Sequence, residues 1–246
     1  MIFPVKFEEE KNGKERIHAV LLRWKAMIYV VGNSVAVRGQ PTYAQMLGGK
    51  LIKSFHMYFY TVLGAIYETQ NLVLEDDDWV VFNFGVNDCI YRKDKRGQTK
   101  LLHELCERVQ EDKLAYEYYR EKLEIFKKKK RNELIQLLTY DQFAKYIDIV
   151  FARFHGKAIV LSVNWFDRTD KKIGWAYEEV NETNRILKEK ALQYLMPYID
   201  LFKPPSVTTD GVHFTQEGHK LVVSLIREAI NRKLASPDNE LIILSK

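Results

Sequence analysis

Cysteine is scarce in this chain. Its 246 residues include two, Cys89 and Cys106, and neither sits in a Cys-x-x-Cys spacing. That excludes a disulfide framework and a cysteine-based zinc site as organising devices. Histidine is sparse as well, and His18, His56, His103 and His155 are scattered with no ligand spacing. No metal or other cofactor is expected. Long apolar runs are missing: none approaches the roughly 18 residues that a membrane span needs. Residues 1–16 are charged and contain no apolar core of signal-peptide length, so the default expectation is a cytoplasmic location. There is no internal repeat. The first apolar run is not followed by Gly-x-Gly-x-x-Gly, which argues against a dinucleotide-binding protein.

What is present is a 46% hydrophobic chain with a net charge of +5. That is enough apolar material for one substantial core. The positive charge is mild and spread out. A lysine-rich surface accounts for it better than a nucleic-acid partner does, so no nucleic acid is expected.

The segment Ala26 to Val31 is a continuous apolar run closed by Gly32-Asn33-Ser34, as suits a strand buried on both faces. Pro41 to Lys50 reads as a short helix closed by Gly48-Gly49. Leu51 to Tyr60 reads as a second strand, with a turn near Gly64. Trp79 to Phe84 is a clearer strand. It ends in Gly85-Val86-Asn87-Asp88, where Asp88 reads as a cap for the segment that follows. Residues 92–155 are dominated by helix formers and charge, with Lys127-Lys128-Lys129-Lys130-Arg131 in the middle. They read as a charged helical insertion within a single domain spanning 1–246, with a hairpin projecting from the sheet as one arrangement. The basic run fits a solvated helix face better than an anionic docking site.

Lys157 to Val163 is another buried-type strand. Trp165, Phe166 and Trp175 follow in a loop, and Trp165 and Trp175 fit a sugar-stacking or acyl-packing wall or, equally well, core or rim packing. Tyr177 to Leu195 is a helix and Tyr198 to Phe202 a short strand. A loop then carries Asp210 and His213 into a last helix, whose apolar positions Leu221, Val222, Leu225, Ile226, Ala229, Ile230 and Leu234 keep the helical period. Leu241 to Leu244 fits an edge strand or surface packing equally well.

Alternation of strand and helix argues for a parallel α/β sheet with helices on both faces. Three strand ends carry polar clusters: Ser34, Asn87, and the Asp210/His213 loop. Parallel strands bring such ends to one edge, where open α/β sheets bind their ligands.

A serine hydroxyl needs a base within hydrogen-bond reach, and the base needs an orienting partner. Ser34, His213 and Asp210 supply these roles. Ser34 attacks an acyl carbon, His213 takes its proton and returns it to the leaving alcohol, and Asp210 holds the imidazole tautomer. The tetrahedral oxyanion needs preorganised donors. The candidates are the Ser34 N–H, a backbone N–H at Gly64 and the side-chain amide of Asn87. Taken singly, Ser34 is a turn or cap residue, Asn87 a turn residue, and His213 a half-buried side chain. Their joint order at three strand ends is what favours chemistry. His219, on the helix itself, fits a hydrogen bond within the fold, and Cys89 fits a small buried residue.

Together these residues resemble the SGNH hydrolases, also called the GDSL esterase/lipase family. Val31-Gly32-Asn33-Ser34-Val35 is similar to its first block, Gly85-Val86-Asn87-Asp88 to its third, and Asp210-Gly211-Val212-His213, with Gly218-His219 beyond, to its fifth. The similarity runs from residue 26 to about 234. It implies a three-layer flavodoxin-like fold, metal-free ester hydrolysis, and an oxyanion hole of Ser34, Gly64 and Asn87. Gly64 takes the second-block place by position, with Gly48 and Gly49 as competitors. The first block of the family usually reads Gly-Asp-Ser. Here Asn33 replaces the aspartate, so a negative charge beside the serine is lost while an Asx turn remains open to it.

The expected activity is hydrolysis of a small O-acyl ester, by analogy an O-acetyl carbohydrate. Acyl transfer to a sugar hydroxyl is a variant on the same site. The alternative from another class is a non-catalytic binding or scaffold protein, whose support is Asn33 and the charged helical segment. Oligomeric state is open.

Overall fold

Apolar runs without alternation demand burial on both faces of a sheet, and the strands of this chain obtain it. The structure, a computed structural model, describes residues 26–32, 41–52, 61–89, 102–103, 106–107, 113–128, 136–163, 177–201, 213–235 and 243–245. Among them are strands β1 (Ile28–Gly32), β2 (Lys50–Ile52), β3 (Trp79–Asn83), β4 (Ala158–Leu161), β5 (Tyr198–Asp200) and β6 (Ile243–Ser245). They form one sheet in the order β2-β1-β3-β4-β5-β6, and every pairing is parallel. The described helices are α1 (Tyr43–Leu47), α2 (Val62–Glu68), α3 (Val86–Cys89), α4 (Lys113–Lys128), α5 (Tyr140–Arg153), α6 (Tyr177–Gln193) and α7 (Gln216–Ala235). The fold is α/β, a parallel sheet with helices on both faces.

All five residues of β3 are buried, because alternate side chains enter different cores. Val80 and Phe82 pack with α2, α5 and α6, where Phe82 stacks on Phe151 with ring centroids 5.4 Å apart. Trp79 and Val81 pack with α1 and α7, against residues such as Tyr43, Val222 and Ile226. The sheet thus separates two apolar cores.

Several sequence-based expectations are corrected. Strand character from residue 51 reaches only Ile52 among the described residues, and 53–60 lie outside them. The turn expected near Gly64 is instead helix α2. Thr61 caps it, its hydroxyl accepting from Gly64 N–H at 3.2 Å. At the end of the helical segment 92–155, α5 does not project. It is a crossover helix seated on the sheet, burying Phe143, Ile147, Val150 and Phe151, and Thr139 and Gln142 form its capping box. Of the last helix's apolar stripe, Leu234 is exposed and burial stops at Ile230. The tail adds the edge strand β6, parallel to β5.

Candidate active site

The strand order places a topological switch between β1 and β3. From β1 the chain moves outward to β2, then returns to the other side of β1 as β3. Ligands in such sheets bind in the crevice that opens there, beyond the carboxyl ends of the strands. Those ends are level, with Gly32 of β1 opposite Asn83 of β3. Ser34 follows Gly32 by two residues in sequence and Asn87 follows Asn83 by four. Ser34 and Asp210 themselves lie outside the described residues.

On the β3 side the backbone is tightly specified. Gly85 has φ +115°, a conformation that side chains rarely adopt. A Cβ there would stand 2.9 Å from Thr183 Cγ2 and 3.3 Å from Val163 Cγ2. The one-turn helix α3 follows, with the amides of Asp88 and Cys89 both donating to the Gly85 carbonyl at 3.2 and 3.3 Å. Asn87 is 5% exposed and Asp88 is fully buried.

Asp88 Oδ1 accepts from Val62 N–H at 2.9 Å, so it caps α2, which lies earlier in the chain. The segment after Asp88, which the sequence reading gave it to cap, lies outside the described residues. The Asp88 carbonyl accepts from Leu138 N–H at 2.8 Å, and the Cys89 carbonyl from Gln136 Nε2 at 2.7 Å. Burial pushes the Asp88 carboxyl up to about 7, against the pull of the Val62, Gly85 and Asp88 amides. Burial first, then the Asp88 charge, also pushes the Cys89 thiol up, leaving it a poor nucleophile at neutral pH.

Gly64 does not fit the oxyanion role expected of it. It is buried in the first turn of α2, and its N–H is already given to Thr61 Oγ1. The competing glycines have structural work as well. Gly48 closes α1 in a left-handed conformation at φ +74°, and Gly49 lies so close to β1 that a Cβ would sit 2.3 Å from the Ile28 carbonyl oxygen.

On the other face, His213 is half-buried just ahead of α7. Thr215 caps that helix, its hydroxyl accepting from Gly218 N–H at 3.1 Å. His219 is 1% exposed, and its Nδ1 accepts from Tyr43 N–H at 3.1 Å. An Nδ1 that accepts carries no proton, so this ring caps α1 as the hydrogen-bonded residue expected. The bond fastens the helix that follows His213 to the helix that follows Ser34. Of the other histidines in the described residues, His103 pairs with Glu107 at 3.3 Å on the surface and His155 packs edge-on to Tyr194. Among the described residues no group of three or more His, Cys, Asp or Glu side chains could hold a metal ion. No helix among them is long and apolar enough to cross a membrane.

Residues 21–221 match the model of the GDSL-like Lipase/Acylhydrolase family. The chain belongs to that family. GDSL-like relatives of solved structure share the fold. A lipase/acylhydrolase from Enterococcus faecalis aligns with 84% of this chain and 96% of its own at 18% identity and TM-score 0.52. A GDSL-like lipase from Bacteroides thetaiotaomicron aligns with 85% and 88% at 17% identity and TM-score 0.53. An acetyl xylan esterase, AlAXEase, aligns with 82% and 98% at 14% identity and TM-score 0.52. No curated protein matches in sequence. Family membership makes the coarse activity that of an ester hydrolase.

For this GDSL family member, the sequence reading missed two residues that shape the site: Thr61 and, in its actual role, Asp88. Thr61-Val62-Leu63-Gly64 did carry a helix-start signal in its threonine. Nothing local in the sequence points from Asp88 back to Val62.

Proposed function

We propose that the chain is a serine esterase cleaving small O-acyl esters through an acyl-serine intermediate. Ser34 Oγ attacks the ester carbonyl while His213 takes its proton and Asp210 orients the ring. The tetrahedral oxyanion is held by the Ser34 N–H and the Asn87 side-chain amide. Collapse expels the alcohol, protonated by His213. Water, deprotonated by His213, then attacks the acyl-serine, releasing the acid and restoring Ser34. Gly64 has no part in this scheme, because its amide is engaged elsewhere.

The observation that carries the reading is the level pairing of Gly32 with Asn83 across the switch point. Two residues of chain reach about 7 Å at most, and this short reach from Gly32 supports pairing Ser34 with Asn87 in one site. The His219–Tyr43 bond brings the His213 helix to the same end of the sheet. An acetylated carbohydrate is the substrate class we favour. Its support is the acetyl xylan esterase among the similar folds and the aromatic residues Trp165 and Trp175, which lie outside the described residues.

Intact mass after incubation with a fluorophosphonate tests the mechanism. The wild type should gain one adduct, mapped to Ser34. His213→Ala should label at least about 10³-fold more slowly, as loss of a general base requires. A folded wild type that takes no adduct would sink the proposal.

A further inference from the structure

The α3 turn is tied to its surroundings at several points. The amides of Asp88 and Cys89 both donate to the Gly85 carbonyl. Other bonds run outward to α2 and to the 136–138 segment. Of these, the bond between Asp88 Oδ1 and Val62 N–H is the one made by a side chain adjacent in sequence to Asn87. It joins the turn to a helix N-terminus, where an acceptor satisfies an otherwise orphaned amide.

Hydrolysis gives this carboxyl nothing to do, and its presence is costly. Asp88 is fully buried, and Oδ2 has no hydrogen-bond partner among the described residues. A buried acceptor without a donor costs roughly 1–3 kcal/mol, a cost that a purely apolar residue would avoid. Among the described residues its titratable neighbours are these. Cys89 lies on its own turn and feels the Asp88 charge, and Glu182 of α6 acts on Cys89 in turn. Tyr119 of α4 also feels the Asp88 charge, and its hydroxyl lies 3.4 Å from Thr61 Oγ1, the cap of α2.

We propose that Asp88 is a positioning residue for Asn87, its bond to the α2 N-terminus holding the α3 turn so that the Asn87 amide stays aimed at the oxyanion. This rests on the oxyanion role proposed above for Asn87. Asp88 touches no reacting atom, and its effect passes entirely through its neighbour. Loss of the tie loosens a group that must be preorganised to be useful, so kcat falls while ground-state binding stays close to its original value.

The test is a double-mutant cycle on p-nitrophenyl acetate, with kcat and KM measured for wild type, Asn87→Ala, Asp88→Ala and the double variant. Asp88→Ala should lower kcat about 10–100-fold with KM within about threefold. In the Asn87→Ala background the same change should cost less than about threefold, because residues that act as a unit are not additive. Asp88→Asn keeps an acceptor for Val62 N–H and should recover kcat to within about fivefold of wild type. Val62→Pro attacks the tie from its other end, deleting the donor at a first-turn position that tolerates proline. It should reproduce the loss, and it carries the test if Asp88→Ala does not fold.

Losses that multiply across the cycle, or a folded Asp88→Ala or Val62→Pro with wild-type kcat, would overturn the positioning role while leaving the esterase intact. A wild type with neither turnover nor a fluorophosphonate adduct would overturn the esterase reading, and this inference with it.

Discussion

A buried carboxyl makes stability depend on pH, and Asp88 does so in an unusual direction. Its ordinary value of 3.8 rises to about 7 in the folded chain because burial disfavours the charge. Between about pH 4 and pH 7 the native state therefore holds a proton that the unfolded chain has released. Stability falls as pH rises through that window, and the whole penalty is present above about 7. Asp88→Asn carries no such penalty. Its melting temperature relative to wild type should climb from pH 5 to pH 8. A difference that stays flat across that range would mean that the carboxyl keeps an ordinary titration in the fold.

The same residue shows where reading from sequence stops. Gly85-Val86-Asn87-Asp88 was legible as a polar cluster at a strand end, because an apolar run closed by glycine has one common meaning in a parallel sheet. The direction in which Asp88 reaches was not legible. Its partner, Val62, is brought beside it by the β1/β3 pairing and not by any local pattern. His219 was easier: a histidine one turn into an amphipathic helix has the core as its nearest surroundings.

Elements were legible in proportion to how far their own residues determine them. The strands at residues 28–32, 79–83 and 158–161 are continuous apolar runs, and the structure has them. Helix α2 was hidden. It is seven residues long, too short to show a period, and contains both glycine and valine, which are poor helix formers. Its start is fixed by Thr61 and by Asp88. Helix α5 was visible only as one of the helices in the charged stretch 92–155, and the charge around it hid how firmly Phe143, Ile147, Val150 and Phe151 seat it on the sheet. The tail strand β6 depends wholly on the open edge of β5.

The β3–α3 connection is the element-scale feature most exposed to a single change. Gly85→Ala combines a strained φ with an atom 2.9 Å from Thr183 Cγ2. The two effects should cost roughly 2–4 kcal/mol together. Thr183→Ser removes that methyl group. Added to Gly85→Ala, it should recover part of the loss in urea unfolding, with the backbone strain left over. Full recovery would mean that the dihedral is not strained. No recovery would mean that the methyl contact is not what limits the turn.

At the scale of the whole molecule, the sheet divides the interior in two. Phe82 and Phe151 belong to the core under α2, α5 and α6, and Ile226 to the core under α1 and α7. Phe82→Ala should cost about 3–5 kcal/mol in denaturant unfolding. Combined with Ile226→Ala, the losses should add to within about 0.5 kcal/mol, because the sites share no partner. Combined with Phe151→Ala, they should depart from additivity, because both rings line one space. Additivity in both pairs, or in neither, would deny the partition.

That partition bears on how such a chain changes over generations. The turn carrying Asn87 is braced from one layer and the helix behind His213 is seated in the other. Substitutions in the layer under α2, α5 and α6 leave the bond from His219 to Tyr43, in the other layer, undisturbed. The two layers can therefore drift at separate rates.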